Sequence, residues 1–81
     1  MKARVYVSLK PTVLDPQGQT VRGALNGLGY HSIKDVRQGK FFDIALADGA
    51  ERAKVQKDIE AIAHDVLANP VIEEYRIELL D

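Results

Sequence analysis

Between Lys2 and Lys10 the chain alternates, with Ala3, Val5, Val7 and Leu9 apolar and Arg4, Tyr6 and Ser8 set between them. A period of two puts the apolar set on one face, so this stretch predicts a strand with one buried side. Pro11 ends it. Asp15 followed by Pro16 is a helix start: a carboxylate to accept free amides, then a residue whose missing N–H costs nothing in the first turn. Val21, Ala24, Leu25 and Leu28 recur at helical spacing, and Gly27 or Gly29 closes the helix. Gly18 and Gly23 each weaken it by about 1 kcal/mol relative to alanine, so this helix should lean on the sheet.

Two further strand segments, 33–37 and 41–47, flank Gln38-Gly39-Lys40, which predicts a hairpin or bulged turn. Asp48-Gly49 ends the second run. From 50 to about 68, Val55, Ile59, Ile62 and Val66 form one helical stripe with Ala63 beside it. Asn69-Pro70 stops this helix, with Asn expected in a left-handed cap. Residues 71–80 alternate again: Val71, Tyr75, Ile77 and Leu79 share one face, and Glu73 interrupts it near the edge. The order β-α-β-β-α-β predicts a single α+β domain over 1–81. Two amphipathic helices would lie on one face of a four-stranded antiparallel sheet in a ferredoxin-like arrangement.

Alternation then sorts the sheet. Val5, Val7, Leu9, Phe42, Ile44, Leu46, Ile77 and Leu79 face the helices, while Arg4, Tyr6, Phe41, Asp43, Arg76 and Glu78 occupy the open side. An uncovered face of aromatics and mixed charges suits either solvent or a partner.

Composition narrows the function classes. Eighty-one residues allow one small core. Eleven basic and twelve acidic side chains leave a charge of −1, without the basic field that nucleic-acid binding needs. No apolar run approaches a membrane span, and the amino terminus lacks the apolar stretch of a signal peptide. The lack of cysteine excludes disulfides and thiolate metal sites. His31 and His64 have no partner at ligand spacing, Ser8 and Ser32 lie in no nucleophile setting, and no catalytic residue or metal site is assigned. Gly23, Gly27 and Gly29 do not make a dinucleotide fingerprint. Gln17-Gly18 at a helix start is a weak phosphate signal, equally read as a loose first turn. These residues point to an association or regulatory module.

The run from Leu9 through Lys10-Pro11-Thr12-Val13-Leu14-Asp15-Pro16-Gln17-Gly18, then Val21, Ala24-Leu25, Leu28-Gly29 and Val36-Arg37-Gln38-Gly39-Lys40, resembles the PurS family. Its members are the small subunits of phosphoribosylformylglycinamidine synthase in bacteria and archaea that make this enzyme as three chains. The resemblance spans essentially the whole sequence, by motif in the first two thirds and by pattern in the last.

That resemblance implies a non-catalytic bridging subunit in de novo purine (IMP) biosynthesis. The complex would be an ATP-dependent carbon–nitrogen ligase with glutamine as amide donor. A glutaminase subunit would release ammonia, and a large synthetase subunit would hold ATP and magnesium. This chain would carry no cofactor and would join its partners as a cytoplasmic homo-oligomer, a dimer or tetramer, away from nucleic acid and membrane. Interface residues by motif are Lys10, Pro11, Asp15, Pro16, Arg37, Gly39 and Lys40, with Tyr6 and Phe41 on the open face. Pro11 and Pro16 would stiffen an extended crossing, and Lys10, Arg37 and Lys40 would meet acidic patches. The alternative is an ACT-like regulatory domain binding a small molecule, although that domain usually carries glycine in the loop where this chain has Pro11 and Pro16.

Overall fold

A computed structural model describes residues 1–80. The elements are β1 (Lys2–Leu9), α1 (Pro16–Gly27), β2 (Gly39–Ala45), α2 (Arg52–Ile62) continuing into a π-helical turn (Ala63–Leu67), and β3 (Glu73–Leu80). The strands form one antiparallel sheet in the order β2-β1-β3. The α+β class and the antiparallel sheet with two helices are as expected.

The centre of the sheet is where alternation matters most. Ala3, Val5 and Val7 on β1 are almost completely buried beneath Val55 and Ile59 of α2 and Ala63 of the π turn. Phe42, Ile44 and Leu46 flank this core on one side, and Ile77 and Leu79 on the other. The stripe of α2 shifts at its end. Ala68 N–H donates to the Ala63 carbonyl at 2.9 Å, a wide i→i+5 turn that brings both alanines into the core. Ile62 and Val66, expected to be buried, are exposed instead.

Asn69 does not take the left-handed conformation, since no non-glycine residue has positive φ among those described. Its side-chain oxygen accepts from Val71 N–H at 3.0 Å, turning the chain by an Asx motif. Val71 lies in this turn, and β3 begins at Glu73, whose carboxylate accepts from Asn69 N–H at 2.7 Å.

Helix α1 starts as expected, with Asp15 as N-cap and Pro16 in the first turn. Gly29, at φ 101°, closes it while Tyr30 N–H donates back to the Leu25 carbonyl. Its place in the molecule is different. It does not pack on its own sheet; it projects beyond it with residues 28–38 running back alongside. Residues 33–37 form no strand, so the sheet has three strands rather than four. The hairpin expected at 38–40 is also missing: the chain passes without a bend from 33 into β2. The result is a body and an arm, measuring 51 × 27 × 14 Å.

Candidate functional site

The motif residues before and after α1 meet at the base of the arm. Lys10 to Val13 form a tight turn, closed by Val13 N–H donating to the Lys10 carbonyl at 2.9 Å. Pro11 occupies its second position, where a fixed φ favours the turn. This replaces the extended crossing expected between the two prolines. The Arg37 guanidinium crosses to it and donates to the carbonyls of Lys10 (3.0 Å) and Val13 (2.9 Å). Arg37, expected as a free charge for a partner, therefore spends donors inside its own chain.

Asp15 is the second half of this clamp. It is only 3% exposed, the one buried charged residue among those described. One carboxylate oxygen accepts from Gly18 N–H at 2.9 Å, and the other from Gln38 N–H at 2.7 Å. The two amides, Gln38 above all, hold its carboxyl below the usual range against the opposing effect of burial, with Arg37 helping. Thus one side chain caps α1 and ties down the strand that follows it.

Gly18 is part of the same construction and was missed as such by its sequence reading. It is the only buried residue of α1, and a Cβ there would sit 2.1 Å from the Val36 carbonyl oxygen. Its role is close backbone approach, rather than looseness or phosphate binding. Gly39 also serves proximity: a Cβ would stand 2.9 Å from the Val7 carbonyl, and its φ is not positive. Neither requirement follows from spacing along the chain, because the opposing atoms lie far away in sequence.

An open groove of about 250 Å³ borders the clamp, lined in part by Ser8, Asp15, Gln38, Gly39, Lys40 and Glu73. Lys40 extends over the Phe42 ring at 5.7 Å. Lys10, Pro11, Asp15, Pro16, Arg37, Gly39 and Lys40 thus fall in one region.

Tyr6 and Phe41 lie elsewhere, on the open sheet face, opposite each other in register with ring centroids 6.2 Å apart. Arg76 covers Tyr6 at 4.2 Å and Arg4 covers Phe41 at 5.0 Å. Arg4 also makes a two-point ion pair with Asp43, at 2.7 and 3.2 Å, which lowers the Asp43 carboxyl and raises the guanidinium. Charges and rings are therefore interlaced across the strands. His64 meets only its neighbour Asp65, at 2.8 Å on the exposed π turn, and His31 is exposed. Among the described residues no three His, Cys, Asp or Glu side chains gather as a metal site.

The likeness to known proteins is continuous over this framework. The PurS family model, described as phosphoribosylformylglycinamidine (FGAM) synthase, matches residues 2–81. The PurS subunit of phosphoribosylformylglycinamidine synthase from Methanocaldococcus jannaschii is 41% identical over 78 residues, covering 96% of this chain and 93% of its own. The Mycobacterium leprae subunit is 43% identical over 76 residues, covering 94% and 91%. The crystal structure of M. jannaschii PurS, described as one of the subunits of formylglycinamide ribonucleotide amidotransferase in the purine biosynthetic pathway, matches with a TM-score of 0.83. It is 40% identical in sequence and covers 95% of this chain and 92% of that one. A PurLQS structure from Thermotoga maritima matches at TM-score 0.86 and 26% identity, covering 98% and 95%. These matches decide between the two family readings: the chain belongs to the PurS family of phosphoribosylformylglycinamidine synthase.

Proposed function

We propose that this chain is the bridging subunit of a phosphoribosylformylglycinamidine synthase in purine biosynthesis. It seats a glutaminase subunit against a large synthetase subunit so that ammonia passes between them. The observation that carries this reading is the full-length PurS match, together with the fold shared with a chain of the T. maritima PurLQS structure. The chain contributes surfaces, held in place by the Asp15 and Arg37 clamp; ATP and magnesium belong to the large subunit. It works in the cytoplasm as a homo-oligomer, and no helix among the described residues is long and apolar enough to cross a membrane.

Reconstitution tests this division of labour. Leaving this chain out of a mixture of glutaminase and synthetase should abolish the glutamine-dependent reaction. Added ammonia, which bypasses the bridge, should still drive synthesis. Equal loss of both reactions would place this chain's role in the synthetase chemistry itself and overturn the bridging assignment.

A further inference from the structure

An asparagine or aspartate can rearrange its own backbone, because its Cγ lies within reach of the next residue's amide nitrogen. Attack closes a succinimide ring, which water reopens. The following residue governs this reaction: a β-branched side chain crowds the ring, proline has no N–H to give up, and glycine leaves the nitrogen open. Asp35, Asp43, Asp58 and Asp65 precede valine or isoleucine, and Asp15 and Asn69 precede proline. Glycine follows at Asn26 and Asp48 alone, and the fold places those two pairs in opposite settings. Asn26 lies in the last turn of α1, with Gly27 still inside the helix. Its carbonyl accepts from Gly29 N–H at 3.1 Å, Leu28 N–H donates back to the Ala24 and Leu25 carbonyls, and its side-chain oxygen is buried. Asp48-Gly49 lies in the exposed turn between β2 and α2, closed by Ala50 N–H donating to the Ala47 carbonyl at 3.3 Å. Among the described residues, neither the Asp48 carboxylate nor the Gly49 N–H has a hydrogen-bond or ion-pair partner. Gly49 holds φ 81°, and a Cβ there would meet nothing within 4 Å, so its nitrogen stands in open space.

We infer that this chain rearranges at Asp48, the Gly49 nitrogen attacking the Asp48 carboxyl carbon, while folding withholds Asn26 from the same reaction. The Gly49 amide gives up its proton, the new N–Cγ bond forms, and a carboxyl oxygen leaves as water. Water then opens the ring at either carbonyl, so no oxidant, reductant or further reactant enters. Opening at the side-chain carbonyl restores aspartate. Opening at the former main-chain carbonyl leaves isoaspartate, in which the main chain runs through Cβ and Cγ and the α-carboxylate hangs free. The connection from β2 to α2 is then one carbon longer. It lengthens just before Glu51, the N-cap of α2, whose side chain makes no capping hydrogen bond. The freed carboxylate is the group that a protein-carboxyl methyltransferase esterifies with S-adenosylmethionine, so Asp48 is also where such a repair enzyme would act. At Asn26 ring closure would release ammonia, but the last turn of α1 must first unwind and break its hydrogen bonds.

Incubation in heavy-oxygen water at neutral pH, followed by mass spectrometry, tests this, since each passage through the ring leaves one heavy oxygen behind. Residues 41–52 form one tryptic peptide, which holds Asp43 beside Asp48 as an internal control. Residues 23–34 form another, which holds Asn26. In the folded protein, heavy oxygen should enter at Asp48 and not at Asp43. Asp48→Glu, whose longer side chain closes a ring far less readily, should lose the label. The same chain unfolded in guanidinium chloride gives the intrinsic rate of each site. Folding should suppress labelling at Asn26 roughly tenfold or more, the factor set by opening two ordinary hydrogen bonds, and leave Asp48 within that factor. Asp48 suppressed as strongly as Asn26, or unlabelled while the unfolded chain takes up label, would overturn the inference. So would Asn26 labelled equally in the folded and unfolded chains. The folded and unfolded comparison needs no variant, so a misfolded Asp48→Glu does not shelter the inference.

Discussion

Helix α2 and helix α1 are alike in sequence terms, each about three turns long with an apolar stripe, yet their surroundings are opposite. Val55 and Ile59 of α2 are buried on the sheet, whereas Gly18 is the only buried residue of α1. The body is held by apolar burial around β1. The arm is held by polar groups at its base: Asp15 to two amides, Arg37 to two carbonyls, and Arg22 reaching the Lys34 carbonyl at 3.4 Å. A hydrophobic stripe therefore marks an apolar helix face, without saying what that face meets. The two regions should fail differently.

The largest effect belongs to the body. Ile59 is 2% exposed and lies against the β1 core. Ile59→Ala should cost about 2–5 kcal/mol, because the removed methyl groups leave a cavity the sheet cannot close. Chemical denaturation followed by circular dichroism should show the whole chain unfolding earlier. If only the arm were lost, the separation of body and arm drawn here would be wrong.

Gly18→Ala strikes the arm instead. The added Cβ meets the Val36 backbone oxygen, so α1 and the returning segment must separate rather than rotate a side chain aside. A cost of about 1–3 kcal/mol is expected for such overpacking. The effect should fall on the amides of α1 and of residues 34–38, leaving the amide protection of β1 unchanged. Gly23→Ala is the control: a Cβ there meets nothing within 4 Å, and alanine favours helix, so stability should hold or rise slightly. Equal effects at the two glycines would dissolve the close approach as an explanation.

This division marks how far the residues alone could lead. Alternation along β1 and helical spacing after Asp15-Pro16 are local, and both elements formed where those patterns lie. The open-face set of Arg4, Tyr6, Phe41, Asp43, Arg76 and Glu78 also followed from period two once the strands were registered. The strand expected at 33–37 and the turn expected at 38–40 did not form, because pairing depends on which edge is within reach. Here the Asp15 clamp sends the chain straight on. The exposed Ile62 and Val66 have a similar cause: a regular 3.6-residue pitch cannot anticipate the wide turn at Ala63. Asp15 itself looked like a simple cap, because its second partner, Gln38, is distant in sequence. Arg37 was visible as a motif cation, whereas its carbonyl partners become visible only when the 10–13 turn closes.

The smallest effect concerns acid. Asp15 has a lower pKa in the folded chain than the ordinary 3.8, because its charged form accepts from Gln38 and Gly18 amides. A depressed folded pKa means that the unfolded chain takes up its proton first as pH falls. The clamp's contribution is therefore complete above about pH 4–5 and is lost progressively below 3.8, through the lower folded value. Nuclear magnetic resonance should follow this at the Gln38 and Gly18 amides, whose signals should move together in that acidic window while the Val5 amide in the body holds. Asp15→Asn keeps an acceptor but removes the charge, so it should abolish the shared titration and loosen the arm at neutral pH. If both amides titrate unchanged in Asp15→Asn, another carboxyl governs them, and the base of the arm is not the Asp15 clamp. If Val5 titrates in step with Gln38, body and arm unfold as one unit, and the contrast between them does not extend to acid.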